Sequence, residues 1–103
     1  ATSAMQEDHV SLGWAAARNL RQVLTNVQRI VAVEAICAAA AVDLRGPHLL
    51  PGPAGAVAIR QMRTAIPAPG PDRFLGPELA VAEQMVATGS LLQTVQATIG
   101  DLA

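Results

Sequence analysis

From Ser11 to Arg45 the chain contains no proline and one glycine, Gly13, at the front. It then stops on Arg45-Gly46-Pro47. A run of this length with no internal breaker reads as one helix, and its apolar pattern agrees. Leu20, Val23, Leu24, Val27, Ile30 and Val31 recur at three- and four-residue spacing, the period of one helical face. Arg18, Arg21, Gln22, Thr25, Gln28 and Arg29 occupy the other side. At about 1.5 Å per residue the helix is roughly 50 Å long. Its end is well specified. Arg45 suits the negative C-terminal end, Gly46 the left-handed position beyond it, and Pro47 cannot continue it.

Past Ile30 the pattern changes. From Ala32 to Val42 every residue except Glu34 is apolar, on all sides of the helix. A helix apolar all round is buried all round, and in 103 residues that favours burial between subunits. Glu34 then requires a partner, because an unpaired buried carboxylate is costly. Composition agrees. Hydrophobic residues make up 51% of the chain but aromatics only 2%, so alanine carries much of the apolar character and any core is thin unless helices pack closely. Charged residues are 15%, which suggests surface covered by other chains.

The remainder reads as short helices between rigid connectors, with no strand pattern and no internal repeat. Pro47 to Pro53 is turn-rich, and 54–66 is a short helix. Pro67, Pro69, Gly70 and Pro71 form a second connector. Pro77 fits a first helical position, with Glu78 in the first turn, and the helix runs to Thr88. Gly89 and Ser90 punctuate, Ser90 as the expected N-cap, and 91–99 is the last helix. The fold class expected is all-α: one long helix over about 11–45 with shorter helices, in a single segment, 1–103.

Several function classes are excluded or disfavoured. All seven basic residues are arginine, the net charge is −1, and no basic run or aromatic platform exists, so nucleic acid is not an expected partner. The most apolar stretch, 30–42, is too short to span a bilayer. No basic region followed by an apolar run marks a signal peptide. The single cysteine, Cys37, precludes an internal disulfide and any multi-cysteine zinc site, and is compatible with a reducing cytoplasm. It reads as a buried structural thiol. His48, in a proline-rich turn, reads as a surface residue, and Trp14 as packing between helices. Asp43 and Arg45 are expected to pair with neighbouring helices.

Chemistry is concentrated in front of the long helix, in Gln6-Glu7-Asp8-His9-Val10-Ser11-Leu12-Gly13. Ser11 is the N-cap candidate, its hydroxyl accepting from a first-turn N–H. Glu7 and Asp8 precede the positive end of the helix dipole, and Gly13 leaves one side of the first turn bare. A carboxylate held there can act as a base, a cation ligand or an ammonium partner, or can simply complement the dipole. Asp8 and His9, with no third ligand nearby, make a weak metal site, and Ser11 is better read as a cap than as part of a Ser-His-Asp triad.

The segment Ser3-Ala4-Met5-Gln6-Glu7-Asp8-His9-Val10-Ser11-Leu12-Gly13 resembles the Ser-Ala-Asn-Gln-Glu-Asp-His-Val-Ser-Met-Gly motif of histidine ammonia-lyases, in the aromatic amino acid ammonia-lyase family. The likeness continues through Ala15-Ala16-Ala17-Arg18, Ala32-Val33-Glu34, Ala41-Val42-Asp43-Leu44-Arg45 and Asp72-Arg73-Phe74-Leu75-Gly76-Pro77-Glu78. It corresponds to the C-terminal part of the family's longer polypeptide. Two positions depart from the motif: Leu12 replaces methionine at similar volume, and Met5 replaces a polar asparagine.

The resemblance implies a piece of a large helical-bundle lyase packed in a tetramer-like oligomer. It implies a catalytic role for Glu7 near the substrate amine, substrate binding by Gln6 and Glu7, and supporting roles for Asp8, His9 and Ser11. The reaction implied is elimination of ammonia from an aromatic amino acid, most like L-histidine to urocanate, with an aminomutase as an alternative. That chemistry uses 4-methylidene-imidazol-5-one, made from an Ala-Ser-Gly tripeptide, and a catalytic tyrosine. This chain has neither Ala-Ser-Gly nor tyrosine. The prosthetic group and the tyrosine are therefore expected on a larger partner chain or segment, and the chain alone is expected to be inactive. The competing expectation is a non-catalytic helical assembly or regulatory subunit that keeps the family's shape.

Overall fold

The computed structural model describes Ala4 and residues 11–102. The described residues form four helices and no strand: α1 (Gly13–Leu44), α2 (Pro53–Arg63), α3 (Gly76–Thr88) and α4 (Ser90–Ile99). The all-α expectation holds, and so does the single long helix, which starts two residues later than expected and ends one earlier.

The helix ends follow from sequence chemistry. α1 closes with the Arg45 N–H on the carbonyls of Ala41 and Val42, at 3.1 and 3.2 Å. Gly46 then takes φ +82°, the left-handed region that glycine enters without steric cost. α2 opens on Pro53, whose missing N–H costs nothing in a first turn. It ends at Arg63 rather than 66, because residues 64–66 tighten: the N–H groups of Ala65 and Ile66 both reach the Met62 carbonyl, at 3.1 and 2.9 Å. α3 has Pro77 and Glu78 in its first turn. Gly89, at φ +73°, ends α3 and caps α4. Ser90 is therefore inside α4 and is not its N-cap. Its hydroxyl turns back to donate to the Met85 carbonyl at 3.4 Å.

α1 packs on α3, α2 on α4, and α3 on α4. The core is small: Ala32 and Ala39 of α1, Met62 of α2, Ile66 beyond it, and Ala82 of α3. Ile66 is the largest fully buried side chain. Alanines on α1 and α3 allow close approach of the two helices, and Ile66 is buried in the same cluster. Ile36, Ile59, Val81, Met85, Val86 and Leu91 close the edges.

α1 alone, with 32 residues, is about 48 Å long. From Gly13 to Val27 every side chain except Ala15 is exposed, because the other three helices cover only the second half. Trp14 is 76% exposed and packs between no helices. The apolar stripe expected from sequence is also bare, with Leu20, Val23, Leu24 and Ile30 all more than half exposed. At 100° per residue the stripe lies roughly 120° around α1 from the Ala32–Ala39 contact face. One helix thus presents two apolar faces in different directions, and only one is covered here. The second half is not enclosed by this chain either. Glu34 is exposed and forms no ion pair among the described residues. Cys37 is exposed, because α3 covers only one side of α1 at that level; the burial expected for both was between subunits, and this chain alone does not provide it.

Candidate functional site

Gln6, Glu7, Asp8 and His9 lie outside the described residues, as does Met5. What the structure describes is the platform that follows them. Ser11 is one residue outside the N-cap position, which Leu12 occupies with φ −83° and ψ 15°. The Ser11 hydroxyl still accepts from a first-turn N–H, that of Gly13, at 3.2 Å. The first helical bond in the chain's order runs from the Ala16 N–H to the Leu12 carbonyl at 2.9 Å.

Gly13 has a local use. A Cβ at this position would lie 3.2 Å from the Ser11 Oγ, so the bare side expected from sequence is where the Ser11 hydroxyl sits. Leu12 and Trp14 project outward, 78% and 76% exposed. No acidic residue stands in the first turn of α1. Its N–H groups and positive dipole end therefore have no in-helix carboxylate to offset them. That environment favours the anionic form of a carboxylate brought close to it.

Other described clusters do not gather at this end. The groove at the far end of α1 is lined by Asp43, Gly46, Leu49, Leu50, Arg60 and Arg63. A second lies between α1 and the proline connector, and a third is almost wholly apolar, between Val31 and α3–α4. None reaches Ser11. Among the described residues no group of three or more His, Cys, Asp or Glu could hold a metal ion, and no helix is long and apolar enough to cross a membrane. His48 is exposed.

The charged groups organise the other end of the molecule. Asp43 of α1 accepts from Arg63 of α2 through Nε at 3.0 Å and Nη2 at 2.5 Å, which is the inter-helix pairing expected for Asp43. Arg45 makes no such pair among the described residues. Arg73 donates to both oxygens of Glu78, at 2.5 and 3.1 Å. That bidentate bond, with burial opposing it, holds the Glu78 carboxyl below the usual carboxylate range and raises the Arg73 guanidinium above its ordinary value. Sequence reasoning gives no pairing for Arg63, Arg73 or Glu78: Arg63 ends α2 and meets Asp43 at the end of α1, and Arg73 lies in the connector five residues before Glu78.

Comparison with known proteins gives the family. The aromatic amino acid lyase family model matches residues 1–64. Histidine ammonia-lyase of Streptomyces avermitilis is 50% identical over 103 residues, covering 99% of this chain and 20% of that protein. Histidine ammonia-lyase of Streptomyces griseus is 49% identical, with the same two shares. That of Gloeobacter violaceus is 43% identical over 98% of this chain and 20% of that protein. The chain thus spans about a fifth of the length of the curated relatives it matches. No solved structure matches. With more than half its residues matched by one family model and nearly all of them by those relatives, the chain belongs to the aromatic amino acid lyase family.

Proposed function

We propose that this chain supplies the loop Gln6-Glu7-Asp8-His9 to the active site of an ammonia-lyase that acts on an aromatic amino acid, most like L-histidine. The observation that carries the reading is the unbroken Gln-Glu-Asp-His-Val-Ser run set directly before α1, in a chain up to 50% identical to histidine ammonia-lyases.

In this reading Glu7 faces the substrate amine, as its ammonium partner or as a base, and Gln6 binds substrate through its amide. Asp8 and His9 hold the loop, and Ser11 fixes its junction with α1 by accepting the Gly13 N–H. A carboxylate suits this place, because an anion is stabilised near a helix N-terminus by up to about 1 kcal/mol. The chain lacks both Ala-Ser-Gly and tyrosine, so its own residues cannot form 4-methylidene-imidazol-5-one. That electrophile, when present, activates the substrate for loss of ammonia, and it would reside with the catalytic tyrosine on a larger chain or segment. The bare stripe of α1 is consistent with such a partner in an oligomer, working in the cytoplasm.

The test is co-expression with a larger chain that carries Ala-Ser-Gly and the tyrosine, followed by gel filtration and an absorbance assay with L-histidine. The expected result is a mixed complex that forms urocanate only with both chains present. Glu7→Gln should lower turnover by on the order of a hundredfold or more, the range for loss of a positioned acid–base group, with assembly intact. Turnover like the wild type would remove Glu7 from the mechanism. A soluble oligomer of this chain alone, without effect on any partner's activity, would overturn the catalytic reading.

A further inference from the structure

The two ion pairs at the C-terminal end of α1 meet at one backbone atom. The Pro67 carbonyl accepts from Arg63 Nη1 at 3.2 Å and from Arg73 Nη2 at 3.4 Å. Arg63 also reaches the Ile66 carbonyl at 3.3 Å, and Arg73 the Ala68 carbonyl at 3.4 Å. Each guanidinium is meanwhile held by its own carboxylate, Asp43 from α1 and Glu78 from α3. The Arg73 guanidinium also folds back over the connector, 3.7 Å from where a Cβ on Gly70 would stand.

We propose that the connector from Pro67 to Asp72 is a strap locked across α1 by a single four-charge clasp, Asp43–Arg63–Arg73–Glu78, rather than by two independent ion pairs. Two guanidiniums on one carbonyl repel each other unless both carboxylates are in place, so the loss of either anion loosens both arginines. The influence already crosses from one pair to the other, since the Arg63 charge helps to hold the Glu78 carboxyl ionised. The strap itself is stiff, with prolines at 67, 69 and 71. It is anchored at one end by the fully buried Ile66. It therefore moves as one piece about that end. Its underside and Ile36, Cys37 and Ala40 of α1 line the same groove, so opening the strap uncovers that side of α1.

Cys37 already stands exposed, so the reporter is the half-buried Ala40 on the same groove, probed as Ala40→Cys in a Cys37→Ser background. The experiment measures the native-state alkylation rate of that thiol and the urea midpoint with Asp43→Asn, with Glu78→Gln and with both together. Each single substitution should raise the alkylation rate by roughly twofold or more, and the pair should add little to either, in rate or in midpoint. Arg73→Lys keeps the charge but cannot span Glu78 and two carbonyls together, and should open the strap as far as Glu78→Gln does. Glu83→Gln, which breaks the separate Arg29–Glu83 contact at 3.5 Å, should leave the rate unchanged. Effects that multiply when the two substitutions are combined, or an alkylation rate indifferent to all three clasp substitutions, would overturn the proposal.

Discussion

Replacing Ile66 by alanine tests the packing argument most sharply. Ile66 is fully buried and packs in the cluster with Ala32, Ala39, Met62 and Ala82. The substitution removes three carbons, which at about 0.8 kcal/mol each is roughly 2.4 kcal/mol of lost transfer energy. A cavity term adds to it, and its size depends on whether neighbours can move in. Three of the four are alanines with nothing to extend; within the cluster only Met62 is flexible, and the larger side chains such as Met85 stand at its edge. The loss should therefore lie at about 3–4 kcal/mol, in the upper part of the range for Ile→Ala. Urea unfolding followed by circular dichroism gives the midpoint and slope, and the slope should be unchanged. Since small domains hold only about 5–15 kcal/mol in all, Ile66→Val supplies a gentler point on the same line, at about 1 kcal/mol. An alanine variant that loses less than about 1.5 kcal/mol with an unchanged slope would refute the reasoning, since it falls short of the transfer term alone.

Two further outcomes are expected. The carboxyl of Glu78 titrates lower in the folded chain than in the unfolded one because of its bond to Arg73. The stability it provides is therefore fully present above the unfolded value, near pH 4.3, and is lost as pH falls through the folded one; acid titration of the urea midpoint should show this loss, and Glu78→Gln should flatten it. Gly46 sits at φ +82° with open space around its Cβ direction, so Gly46→Ala should cost about 1 kcal/mol from backbone strain alone, Gly46→Asn less, both read from thermal unfolding.

Much of this architecture was legible because local signals agreed with one another. Arg45-Gly46-Pro47 set the end of α1 within a residue, and Pro77-Glu78 set the start of α3 within one. The misplaced details share a cause. Ser11 and Ser90 are both good capping residues, but Leu12 and the left-handed Gly89 take the cap positions, and each serine hydroxyl finds another backbone partner. Glu34 and Cys37 were read as buried because the pattern around them is apolar on every side. Periodicity reports how much cover a helix needs, not which chain provides it, and this chain covers only one side. The Gln6–His9 cluster carries its family signal in residue order, whereas nothing in the order of Asp43, Arg63, Arg73 and Glu78 shows that they meet, since they are up to 35 positions apart and come together only through the fold. The family is now established, while the roles of Gln6, Glu7, Asp8, His9 and Ser11 rest on the proposed reaction.

The half-covered α1 has a consequence for how the chain comes apart. Its turns from Gly13 to Val27 have almost no tertiary contacts, and a helical stretch of that length is marginal in water when it stands alone. Amide exchange should therefore run as a gradient along a single helix, fast at the Ser11 end and slow around Ala39, where the core closes. The motif is joined to the fast end. A partner that covered the Leu20–Val31 stripe, as the proposed function requires, would order these turns in the same step, so docking on the stripe and ordering of the front of α1 would be one thermodynamic event.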